Sequence, residues 1–265
     1  MPRIRRMVWT FVASAMVFSA VLNGSAIATA QEVWVAAASD LQVVLPKIAA
    51  DFERRTGEKV NVSFGSSGNF LAQIQNGAPF DVFLSADIDY PRQLERAGLA
   101  EPGTIFPYAT GSLVLWTRKG SGVDVTRGLD ALLTVRVRHI AIANPEYAPY
   151  GRAAVTALRS AGVYEQLRPK LVMGENVSQA AQFVQSGNAD AGLIPLSFAR
   201  TSAANAVGEY IAVPPSLYAP IEQAAVVVRA SRHKDAARAF VAFLKAPDTV
   251  TILSAAGFGP PAPHR

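Results

Sequence analysis

Four short loops carry the residues of this chain best suited to chemistry: Ala38-Ser39-Asp40, Gly65-Ser66-Ser67-Gly68, Ala148-Pro149-Tyr150-Gly151 and Glu175-Asn176-Val177-Ser178. Each follows a strand-like run and precedes a helical pattern, so each places unpaired backbone N–H groups at a helix start. About four such groups are left free there, and the aligned peptide dipoles add about half a positive charge. Both effects favour an anion. The first two loops add serine hydroxyls, and none of the four contains Lys or Arg. A set made of donors alone suits a small, fully ionised oxyanion, because charge-assisted hydrogen bonds replace a buried counter-ion.

Taken singly, each loop also has an ordinary structural role. Ser39 suits a helix N-cap with Asp40 in the first turn, and Pro46 predicts a bend in the helix so opened. The Gly65–Gly68 loop reads as a turn, matching neither a Walker loop nor G-x-S-x-G. Pro149 stands at a helix start, while Tyr147 and Tyr150 either pack or close over a ligand. Asn176 with Gln179 three positions later forms a capping-box variant. Val177 is then the first helical residue, and only its backbone has chemistry to offer.

The elements that must position these loops alternate along the chain. Strand-like runs at 33–38, 59–64, 81–85, 112–117, 138–143, 191–195 and 224–228 interleave with helical patterns at 41–55, 69–76, 90–97, 151–161, 178–186 and 231–244. That alternation predicts α/β layering with largely parallel strands, and many helices stop at glycine, as at Gly57 and Gly187. The runs beginning at Leu113 and Ala224 have no crossover helix close before them. The segments 108–110 and 218–221 therefore either pass between two lobes or lie within one continuous sheet.

The ends and the composition narrow the function. Arg3, Arg5 and Arg6 precede an apolar run from Met7 to Leu22, closing on Ala28-Thr29-Ala30; residues 1–30 read as a secretory signal peptide. The run is shorter than the ~20 residues of a membrane span. With no cysteine, lipidation, disulfides and thiol catalysis are excluded, and the expected product is periplasmic and not a lipoprotein. The three leader arginines account for part of the net charge of +5: without them 22 basic residues face 20 acidic ones, a balance of +2. No basic run interleaved with aromatics suggests nucleic acid. His139, His233 and His264 lie in no triad context, so no enzyme is expected. Tyr147, Tyr150 and Glu146 are too few ligands for a metal-ion carrier.

The segments Val33-Trp-Val-Ala-Ala-Ala-Ser-Asp-Leu41, Ser63-Phe-Gly-Ser-Ser-Gly-Asn69, Asn76-Gly-Ala-Pro-Phe-Asp-Val-Phe-Leu-Ser-Ala-Asp87 and Asn144-Pro-Glu-Tyr-Ala-Pro-Tyr-Gly151 resemble periplasmic molybdate-binding proteins, the solute receptors of molybdate ABC importers. The similarity runs in order over 33–258. It implies a two-lobed periplasmic-binding-protein fold of type II with the ligand cleft between lobes: 31–112 plus 225–265 as the first lobe and 113–224 as the second. It also implies molybdate or tungstate as the ligand, no cofactor, an ABC-transporter membrane permease as partner and a monomeric receptor. Carried over by position, Ser39 and Ser67 donate from the first lobe. Tyr150 and Val177 donate from the second, mainly through N–H, and Asp40 contributes through its own N–H. Some members use a tyrosine where this chain has Pro195, so that contact is expected to be missing.

Chemistry alone leaves the anion open. Molybdate, tungstate and sulfate are dianions near neutral pH, whereas phosphate keeps a proton and wants an acceptor. An ionised Asp40 turned inward would supply one. Facing molybdate, it would instead repel by several kcal/mol at low dielectric, so the carboxylate is expected to face outward. Trp34 and Trp116 are expected to report lobe closure.

Overall fold

The computed structural model describes residues 32–262, so the leader read at 1–30 lies outside the described residues. The strands are β1 (Glu32–Ala38), β2 (Lys59–Gly65), β3 (Val82–Ser85), β4 (Phe106–Gly111), β5 (Leu113–Arg118), β6 (Ile140–Ala143), β7 (Leu171–Gly174), β8 (Ala191–Pro195), β9 (Gly208–Ala212) and β10 (Ile221–Val227). They form two five-stranded sheets, ordered β2-β1-β3-β10-β4 and β7-β6-β8-β5-β9. The continuous-sheet alternative is thereby excluded, and the α/β two-lobed architecture stands.

Each sheet is mixed rather than largely parallel. β1 runs parallel to β2 and β3, and β6 to β7 and β8. β10 and β5 are antiparallel to both of their neighbours. These are the two strands that lack a preceding crossover helix. A parallel neighbour needs such a helix to bring the chain back to its starting edge, and an antiparallel one does not. The helices Leu45–Thr56 and Ser67–Gln75 serve the first sheet in this way, and Pro149–Ser160 and Val177–Ser186 the second.

Helices cover both faces of each sheet, which is why the strand interiors are apolar without alternation. On one face of the first sheet Phe52 packs edge-on against Phe240 and Phe243, with ring centroids 5.1 and 5.5 Å apart; on the other, Phe70, Phe83 and Leu94 are buried together. Gly57 and Gly187 end their helices at φ 80° and 82°, a region costly for any side chain.

The chain passes between the sheets twice, and the passages lie side by side. Only Ser112 separates β4 from β5, and the return runs from β9 through the turn Pro215–Leu217 into β10. Gly111 pairs with Ile221, and the Leu113 N–H donates to the Tyr218 hydroxyl at 3.1 Å. The far end of the chain reinforces this region. Thr110 and Gly259 exchange both backbone hydrogen bonds, at 2.9 and 2.8 Å, and the Thr110 hydroxyl donates to the Pro260 carbonyl.

Candidate functional site

The four loops singled out in the sequence follow the C-terminal ends of β1, β2, β6 and β7. Open α/β sheets present their ligand sites at such ends. All five expected residues line one pocket, with Ser39, Asp40 and Ser67 on the first-sheet side and Tyr150 and Val177 on the second. Ser66, Ala86 and Asn176 join them, and no Lys, Arg or His does. The space left for the centres of water-sized molecules is about 10 Å³. That is barely the room one water needs, about 10–15 Å³ on this measure, so the two sides stand nearly in contact around it. Larger hollows lie elsewhere, about 480 Å³ beside Trp34 and His233 and about 430 Å³ beside Asp51 and Asp248. Neither gathers helix starts from both sheets.

Local chemistry explains each loop. Ser39 does not cap: Ala38 takes the cap position, and Ser39 begins a short 3-10 turn, Ser39–Val43. Pro46 was expected to bend one helix; instead the 3-10 turn ends at Val43, Val44 separates it from a second helix, and Pro46 sits in the first turn of Leu45–Thr56, where its missing N–H has no intrahelical role. Ser66 holds the cap position of Ser67–Gln75 but makes no cap bond, and its hydroxyl is buried without a partner. The Ser67 hydroxyl accepts from the Ala86 N–H at 3.0 Å, which leaves its own proton to give. Pro149 opens the helix Pro149–Ser160 as expected. A Cβ on Gly151 would lie 2.1 Å from the Ala143 carbonyl oxygen, so only glycine lets that helix start so close to β6. Asn176 accepts from the Ser178 and Gln179 N–H groups at 3.0 and 3.2 Å, and Gln179 reaches back to the Glu175 N–H. Val177, first in the helix, keeps its N–H outside the ladder.

The outward orientation expected for Asp40 is not what the structure shows. The residue is 1 % exposed, Oδ2 accepts from the Gln223 amide, and Oδ1 is buried without a partner. Burial lifts its carboxyl to about 7, with Gln223 and Tyr150 drawing it back down. The Tyr150 hydroxyl lies 3.3 Å from the Gln223 amide nitrogen, and the Tyr108 hydroxyl donates to the Gln223 carbonyl oxygen at 2.8 Å. Burial raises both phenols well above their usual range. The expectation failed because a turn residue beside a cap is usually solvated; Gln223, far along the chain on β10, gives this carboxyl a buried partner.

Sequence reasoning also missed Ser66, Gln223 and Ser197. Ser66 was legible as a loop hydroxyl. The other two gave no local signal: the Ser197 hydroxyl donates to the Asp40 carbonyl at 3.0 Å from across the cleft. Pro195, where a tyrosine contact was expected to be absent, is not among the residues lining the pocket.

Polar contacts tie the two halves around the pocket. The Gly68 N–H donates to the Tyr147 carbonyl at 2.8 Å, an approach that a Cβ at Gly68 would block. Ser178 donates to Gln42 at 2.8 Å. Arg152 pairs with Asp87, donates to the Tyr90 hydroxyl at 2.6 Å, and lies 5.2 Å above the Tyr90 ring. Of the two tyrosines considered, Tyr150 is buried at the cleft and Tyr147 is 38 % exposed. Neither Trp34 nor Trp116 lines the pocket, so neither is placed to sense it directly.

A family model described as "Bacterial extracellular solute-binding protein" matches residues 33–259. The chain belongs to that family. This solute-binding protein is 43% identical over 232 residues to the molybdate-binding protein ModA of Azotobacter vinelandii, covering 88% of this chain and 91% of that one. It is 40% identical over 249 residues to the ModA of Rhodobacter capsulatus, covering 94% and 96%. Its structure is similar to that of the Azotobacter vinelandii periplasmic molybdate-binding protein, with a TM-score of 0.82 at 38% identity over 87% of this chain and all of that one. The resemblance read from the sequence is borne out. Among the described residues, no helix is long and apolar enough to cross a membrane.

Proposed function

We propose that this protein captures molybdate, and with it tungstate, between its two lobes and delivers the anion to the membrane permease of an ABC importer. The observation that carries the reading is the convergence of four helix starts, two from each sheet, on one small pocket whose lining holds no cation. Two residues of its lining, Ser66 and Asp40, each carry a buried side-chain oxygen with no protein partner. The names of the relatives point to the same anion.

In this reading Ser39, Ser66 and Ser67 donate from the first lobe, and the Tyr150 and Val177 N–H groups from the second. The lobes are 31–112 with 225–265, and 113–224. Binding stabilises the closed arrangement through the anion's greater affinity for it. The protein works as a monomeric receptor without a cofactor or catalysis, exported to the periplasm by the leader. Among the described residues, no group of three or more His, Cys, Asp or Glu is arranged to hold a metal ion.

One observation favours a second reading. Asp40 is buried in the lining of the pocket, and its ionised carboxylate could accept the proton of hydrogen phosphate. Thermal unfolding with added oxyanions decides between them. Molybdate at a hundred times its Kd is expected to add roughly 2.7 kcal/mol of stability, a rise of about 5–10 °C in Tm. Sulfate and phosphate are expected to do much less at the same concentration. A shift with phosphate and none with molybdate or tungstate overturns the proposal.

A further inference from the structure

Asp40 is the one acidic residue lining the pocket, and it lies on the boundary between the lobes. Gln223 of β10 holds Oδ2, Ser197 of the second lobe holds its backbone carbonyl, and Oδ1 has no partner. An anion bound by the neighbouring Ser39 would set its two charges beside this carboxyl where little water remains.

Hydrogen bonds from Gln223 and Tyr150 favour the charged form in part, but no cation in the pocket lining offsets that repulsion. The titratable groups around Asp40 are the Tyr108 and Tyr150 hydroxyls, with Tyr218 next to Tyr150. The helices Val177–Ser186 and Leu196–Ala199, packed against the Ser39–Val43 turn, carry no charged residue. On the other elements touching that turn, the charged residues of β1, β2 and Leu45–Thr56, Lys47 and Lys59 among them, are not buried. Like charges that share a site cannot both stay ionised without a large penalty, and the carboxyl is the group able to take a proton.

Resting on the reading of this pocket as an oxyanion site, we propose that Asp40 takes up one proton from solvent as the lobes close on the anion, so that capture is proton-linked. The proton adds to Oδ1, since Oδ2 is occupied by the Gln223 amide, and no other bond changes. A repelling carboxylate thereby becomes a donor. The same device removes the conflict between a buried Asp40 in the lining and a dianionic ligand.

Burial already raises this carboxyl to about 7 in the arrangement described, and a dianion alongside raises it further. In an open form the hydrated carboxyl returns toward the ordinary value near 3.9. A group with the higher pKa in the bound state binds a proton on complex formation, so affinity rises as pH falls and is lost as pH rises toward the bound-state pKa. Between about pH 5.5 and 7 the slope approaches tenfold per pH unit; well above the bound-state pKa it flattens.

Isothermal titration of the protein with molybdate, in buffers of different ionisation enthalpy, counts the protons taken up. About one proton per anion is expected at pH 6, declining toward zero by about pH 9 as affinity falls. In Asp40→Asn the uptake is expected to vanish and the pH profile to become flat. Wild-type binding at pH 6 without proton uptake overturns the proposal, as does undiminished uptake in Asp40→Asn. Failure to bind molybdate at any pH is a different result, and it overturns the oxyanion reading beneath.

Discussion

The two halves of the pocket are built from different materials. In the proposed site the first lobe adds side chains, three serine hydroxyls and the Asp40 carboxyl, to the N–H groups of its own helix starts. The second is proposed to offer mainly backbone, the N–H groups of Tyr150 and Val177 at the starts of their helices. Side-chain donors can be replaced one at a time, whereas backbone donors depend on where a helix begins. In the second lobe that position rests on Pro149, Gly151 and the Asn176 cap, none of which needs to touch the anion through its side chain. A half-site can therefore be encoded entirely in residues whose roles look structural.

The contrast can be broken most strongly at Gly151. Alanine there would push its Cβ into the Ala143 carbonyl and displace the Tyr150 helix start without removing a functional group. An overpacking loss of about 3 kcal/mol is expected, with Tm lower by about 6–12 °C and molybdate affinity reduced in titration calorimetry. Next come two matched deletions, one in each half. Ser67→Ala removes a hydroxyl facing a charge, and Val177→Pro removes only an N–H, at a first-turn position where proline is well tolerated. Each is expected to weaken binding by about 10–150-fold, from ~1.5–3 kcal/mol per charge-assisted bond. Arg152→Ala, away from the pocket, cuts the contact with Asp87 and Tyr90. It is expected to raise the dissociation rate by about fivefold in stopped-flow measurements, the ~1 kcal/mol of a partly exposed pair. Smallest is Val177→Ala, expected to cost less than about threefold in Kd because the donor N–H remains. A larger loss in Val177→Ala than in Val177→Pro would reverse the account of the second half.

How far this was legible follows the range of the interactions. Strands such as Ala191–Pro195 and helix starts such as Pro149 and Val177 declare themselves through local apolar runs, proline and caps, and they stand where the sequence puts them. β4, β7 and β9 were missed: the segment of the first was left open between a passage between lobes and part of one continuous sheet, and the other two are short edge strands with half-exposed residues. The pocket was legible because its donors sit in those same local signals. Asp40 was not, since its partner Gln223 is 183 residues away. Pairing at that distance leaves no periodicity for the sequence to reveal.

The side-by-side passages between the sheets have a mechanical consequence. Two tethers joined by the Leu113–Tyr218 hydrogen bond and the Gly111–Ile221 pairing act as paired pins of one door. In the proposed closure, such a joint would favour a single swing over shear or torsion, as hinge motions do when few residues absorb the rotation. Thr110, clasped by Gly259 and Pro260, anchors one pin to the last stretch of the described chain. The tail thus serves as the door frame: the accuracy with which the two half-sites meet on each closing stroke depends on residues that never approach the anion.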